Sequence, residues 1–93
     1  MTDTATRVEI TGKVQQVWYR AWTVKNAAER GLRGWVRNRL DGSVEALFIG
    51  PEAQVAAMIE SCHRGPPKAQ VEAVRRFSAI DNGAEGFEQK PTE

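Results

Sequence analysis

The sequence predicts a two-layer α+β sandwich, an antiparallel sheet with two helices on one face, and three observations carry that reading. The apolar period switches between 2 and 3.6 along the chain in the order βαββαβ. Only two stretches have helical spacing, and two short helices cover just one face of a four-stranded sheet. At 93 residues, 41% apolar, the chain suits a single domain spanning 1–93, with an ordered core from about 7 to 90 and one two-layer core.

Arg7 to Thr11 alternates as a half-buried strand does, with Val8 and Ile10 opposite Glu9 and Thr11, and Gly12 is expected to end it. Arg20 to Arg30 contains neither glycine nor proline and is read as the first helix. Its apolar face is assigned to Ala21, Val24 and Ala28, with Gly31 as the C-terminal cap. Leu32 to Arg39 and Ser43 to Ile49 are β-rich runs joined by Asp41-Gly42, a dipeptide that favours tight hairpin turns.

Gly50-Pro51 opens a second helix, in which Val55, Met58, Ile59 and Cys62 fall at i, i+3, i+4 and i+7 before the Gly65-Pro66-Pro67 stop. Ala69 to Phe77 is a fourth strand with a bulge expected at the adjacent Ala73 and Val74. Asp81 to Gly86 reads as loop. Phe87 to Gln89 is a candidate edge strand whose ladder Pro91 should end. The element order defines a ferredoxin-like sandwich, a fold that serves many functions, so function has to be argued from a site.

No apolar run approaches the roughly 20 residues that span a bilayer, and Met1 to Arg7 lacks the apolar stretch of a signal peptide. The lone Cys62 cannot form an internal disulfide, and no Cys/His cluster has metal-ligand spacing. A reducing cytoplasm, no membrane, no metal and no cofactor are the expectations. The net charge of +1 hides an asymmetry: Arg7 to Arg39 holds eight basic residues against Glu9 and Glu29, and the remainder is net acidic. An anionic ligand fits that half, although solvated basic faces would give the same count.

The candidate site is Gly12-Lys13-Val14-Gln15-Gln16-Val17-Trp18-Tyr19-Arg20, which joins the first strand to the first helix. Such a connection presents unpaired N–H groups and the positive end of the helix dipole to an anion. Arg20 adds a planar fork of donors suited to two phosphate oxygens. A second candidate is Asn38 in Gly34-Trp35-Val36-Arg37-Asn38-Arg39. Near a turn its amide commonly serves local backbone, but facing the first loop it could align a water molecule.

These residues carry a resemblance. Gly12-Lys13-Val14-Gln15 with Val17, Tyr19 and Arg20, then Gly31 to Asn38 and Asp41 to Glu45, resemble the acylphosphatase family from Val8 to about Val74, including Gly65-Pro66. The resemblance implies the same sandwich and hydrolysis of acyl phosphates to a carboxylate and inorganic phosphate without a metal. It implies that Arg20 binds phosphate, that Asn38 orients the attacking water, and that the backbone of Gln15, Gln16, Val17, Trp18 and Tyr19 forms the cradle. The family pattern has glycine where this chain has Gln16. A side chain held there at positive φ costs on the order of 1 kcal/mol and crowds the phosphate.

The small inventory of side chains suits this chemistry. A carboxylate leaving group has a conjugate-acid pKa of roughly 4 to 5 and leaves without a general acid, so a catalytic histidine is not required. His63 sits where imidazole complements the C-terminal end of a helix dipole, and Cys62 completes an apolar stripe. Trp18, Tyr19, Trp22 and Trp35 are assigned to packing and rim. Two alternatives are a non-catalytic module binding phosphate or carbamoyl phosphate and a single-stranded nucleic-acid-binding domain. The second lacks an aromatic pair on central strands, since the first strand offers only Val8 and Ile10. The expected partners are a small acyl phosphate and inorganic phosphate, with the chain a monomer.

Overall fold

The computed structural model describes residues 3–93. The elements run β1 (Asp3–Lys13), α1 (Tyr19–Glu29), β2 (Arg33–Asn38), β3 (Val44–Pro51), α2 (Glu52–Cys62), β4 (Gln70–Ser78) and β5 (Phe87–Gln89). The sheet order is β4-β1-β3-β2-β5. β1 pairs antiparallel with β3 and β4, and β2 pairs antiparallel with β3. β5 departs from the expected all-antiparallel sheet, pairing parallel with β2. The reason is directional: β2 and β4 run in opposite senses, so a strand that starts where β4 ends must run with β2. None of the described helices is long and apolar enough to cross a membrane.

The core lies between sheet and helices. Val8 and Ile10 of β1, Val36 of β2, and Val44, Ala46 and Phe48 of β3 meet Val55, Met58, Ile59 and Cys62 of α2, the four residues the periodicity singled out. The face assigned to α1 is corrected. Ala21 and Ala28 are exposed and Val24 only half-buried, while Tyr19, Thr23 and Ala27 are buried. The Thr23 hydroxyl donates to the Tyr19 carbonyl at 2.8 Å, so a polar side chain enters the core with its hydrogen bond satisfied by its own helix. Gly31, at φ 69°, ends α1 as expected: its N–H donates to Ala28 O and that of Leu32 to Ala27 O.

Gly12 does not end β1, which continues to Lys13. Pairing with β4 skips from Thr11–Ala73 to Gly12–Val71, leaving Glu72 as the extra residue of a bulge one position from the one expected. Gly12 takes φ 117° at this shift, and a Cβ would strike the Gln70 carbonyl and the Glu72 amide. The hairpin after β2 forms, but through Arg39–Ser43 rather than a two-residue turn. Gly42 N–H donates to Arg39 O, and Asp41 Oδ1 accepts from the amide and hydroxyl of Ser43.

Pro91 interrupts pairing without ending it. Lys90 N–H donates to Val36 O, and pairing resumes where Glu93 N–H donates to Asn38 O and Leu40 N–H to Glu93 O. The C-terminal segment therefore runs alongside the end of β2 that carries Asn38.

Candidate active site

The turn from β1 into α1 has two left-handed residues, Gln16 at φ 61° and Trp18 at φ 68°. The first occupies the position where positive φ was the concern, and the second was not foreseen. Trp18 stands at the N-cap of α1 without a side-chain cap, and no acidic residue lies in the first turn. The N–H groups at the start of α1 therefore have no capping side chain, and the positive end of the helix is left without a local counter-charge.

A cleft of about 380 Å³ opens at this helix start, lined by Val14, Gln16, Trp18, Tyr19, Arg20, Ala21, Asn38 and Gln89. It brings Arg20 and Asn38 together although they come from different motifs. Gln15 and Val17 do not line it. Val17 is buried in the core, and Gln15 donates through Nε2 to the carbonyls of Arg39 and Ser43 at 2.7 and 2.9 Å. Gln15 thus ties the loop to the mouth of the hairpin beside Asn38. Gln89 was missed because its position depends on the parallel docking of β5.

Arg20 is placed differently from the arginines on and beside the sheet strands, none of which lines the cleft. Arg7, Arg37 and Arg39 converge on Glu45, and Arg33 pairs with Asp81 and Asp3. Among the described residues Arg20 has no carboxylate partner. Its Nη1 donates to the Lys90 carbonyl at 3.3 Å, which orients the fork and leaves its charge available. Tyr19 is 2% exposed and donates its hydroxyl to the Cys62 carbonyl at 2.6 Å, anchoring the first turn of α1 to the end of α2. Burial, reinforced by Cys62, pushes the phenol far above its ordinary range and keeps it a donor.

Cys62 is buried among the core side chains outside the cleft, and that burial disfavours the thiolate, pushing the thiol up to about 12 despite the opposing Tyr19 contact. His63 is exposed at the C-cap of α2, outside the cleft. Among the described residues no group of three His, Cys, Asp or Glu side chains gathers as a metal site.

A two-layer α+β sandwich with an uncapped helix start, and in that first turn an arginine without a carboxylate partner among the described residues, has the geometry of a small anion-binding domain. Comparison with known proteins narrows the class. The acylphosphatase family profile matches residues 6–89. An acylphosphatase of Rhodospirillum rubrum is 56% identical over 85 residues, covering 91% of this chain and 93% of that protein. An acylphosphatase structure from Coxiella burnetii superposes with TM-score 0.92 at 31% identity, covering 96% of this chain and 94% of that one. One from Bacillus subtilis gives 0.89 at 33%, covering 92% and 97%. The chain belongs to the acylphosphatase family.

Proposed function

We propose that the chain hydrolyses acyl phosphates, with Arg20 binding the phosphoryl group and Asn38 directing the water. The observation that carries this reading is the cleft in which Arg20, free of carboxylate partners among the described residues, faces the same space as Asn38 at an uncapped helix start. Arg20 and the N–H groups of the Gln15 to Tyr19 loop hold the equatorial oxygens, where charge is stabilised as the transition state forms. The Asn38 amide oxygen accepts a hydrogen bond from a water and aims its oxygen at phosphorus. The new P–O bond forms as the bond from phosphorus to the acyl oxygen breaks. The electron pair leaves on the carboxylate, and the water's proton passes to the phosphate product or to solvent.

This reaction needs no general acid, because a carboxylate is a good leaving group. Positioning and charge stabilisation supply most of the rate. On this reading the chain acts as a monomer in the cytoplasm: Arg20 and Asn38, the two residues given roles, belong to one chain, and a lone cysteine held as a free thiol suits a reducing compartment. The helix-free sheet face, which a nucleic-acid-binding module would use, is instead occupied by the ion pairs of Glu45.

Phosphate release from benzoyl phosphate in the presence of a chelator tests the proposal. Wild type should turn over and be inhibited by inorganic phosphate. Arg20→Ala should lose both, with Arg20→Lys recovering little because a point charge lacks the fork. Asn38→Ala should lower kcat by roughly a hundredfold or more with phosphate inhibition close to wild type. Near-normal hydrolysis by a folded Arg20→Ala protein overturns the assignment.

A further inference from the structure

We infer that Trp18 is the acyl-side contact of the cleft and biases the enzyme towards acyl phosphates with an aromatic or extended apolar acyl group. The inference rests on the function proposed above. Trp18 is 78% exposed, holds a left-handed backbone conformation and occupies an N-cap position without capping the helix. Each of these features is unfavourable to folding. Its indole compensates for none of them within the fold: the ring pairs among the described residues are Tyr19–Trp22 and Phe48–Phe87.

Leu40 and Ile80 are also large, apolar and exposed, but they lie outside the cleft, whereas Trp18 lines it beside Arg20 and Asn38. An acyl phosphate held by its phosphoryl oxygens carries its acyl group one bridging oxygen away. That group leaves the cradle at the rim, where the indole offers a flat apolar surface for stacking and burial.

The test compares kcat and KM for benzoyl phosphate and acetyl phosphate in wild type, Trp18→Ala and Trp18→Phe, with inhibition by inorganic phosphate as a third readout. A disturbed loop lowers kcat/KM for both substrates alike, because they share the phosphoryl cradle, and weakens phosphate inhibition as well, so the ratio of the two substrates isolates the acyl contact. Trp18→Ala should lower the benzoyl-to-acetyl ratio of kcat/KM roughly three- to tenfold, chiefly through the KM for benzoyl phosphate. Trp18→Phe should restore most of the ratio. An unchanged ratio in Trp18→Ala, with wild type active on both substrates, overturns the inference alone. A folded wild type that hydrolyses neither substrate overturns the proposed function and this inference with it.

Discussion

Gln16 holds a backbone conformation that its own side chain disfavours. Its φ of 61° is a conformation glycine adopts freely and glutamine adopts at a cost of about 1 kcal/mol. The side chain is exposed and lines the cleft, so the left-handed turn is accommodated without burying it. Gln16→Gly should therefore keep the reaction and leave kcat/KM within roughly fivefold of wild type. Urea denaturation should show a net change within about 1 kcal/mol, because relief of strain is offset by the greater freedom of glycine in the unfolded chain. If wild type is inactive and Gln16→Gly gains turnover, the chain is a phosphate-binding module. Arg20 and Asn38 could be singled out from the sequence because both sit in contiguous motifs, and the fold brings them to one cleft. Trp18 was legible as an aromatic but not as a left-handed one, since positive φ leaves no mark on the identity of a tryptophan.

Among the elements, α2 and α1 differ in how openly their sequences declare a buried face. Val55, Met58, Ile59 and Cys62 are all apolar, and all four are buried. The buried stripe of α1 is Tyr19, Thr23 and Ala27, two of which carry hydroxyls, while the exposed Ala21 and Ala28 are the residues an apolar count selects. The polar residues are tolerated inside because each hydroxyl has an acceptor: Thr23 uses Tyr19 O and Tyr19 uses Cys62 O. Tyr19 also packs closely against Gly65, where a Cβ would come within 2.6 Å of its ring. The Tyr19 hydroxyl is thus a pin between the start of α1 and the end of α2. Tyr19→Phe should destabilise the fold by about 1 to 3 kcal/mol, measured by urea denaturation, because the Cys62 carbonyl is left buried without its donor. A variant as stable as wild type would show that this contact is incidental to the docking of the two helices.

Across the whole molecule, half of the eight basic residues from Arg7 to Arg39, namely Arg7, Arg33, Arg37 and Arg39, are paired with carboxylates among the described residues rather than displayed for a partner. Glu45 lies on β3 facing away from the helices, 4% exposed, and accepts from Arg7 Nη1, Arg37 Nε and Arg39 Nη1 at 2.8 to 2.9 Å. The pairing that builds this cluster was beyond the sequence: Glu45 stands opposite Arg37 on one side and Glu9 on the other only because β3 is central and its register fixed. Burial pulls the Glu45 carboxyl upward, but the hydrogen bonds and charges of the arginines outweigh it and hold the carboxyl below its ordinary value of 4.5. A carboxyl lowered in the folded state contributes stability above its unfolded pKa and loses it as pH falls through the folded one. Glu45→Gln should cost about 2 to 3 kcal/mol near neutral pH, somewhat below the range for fully buried pairs because the arginines are partly exposed. The difference should begin to shrink as pH falls through about 4.5, where the unfolded chain takes up the proton, and should close only below the lower folded value, where Glu45 of the folded wild type is protonated too. Denaturation midpoints of both proteins between pH 3 and pH 7 provide the measurement, and a gap that persists unchanged into acid would assign the loss to packing rather than charge.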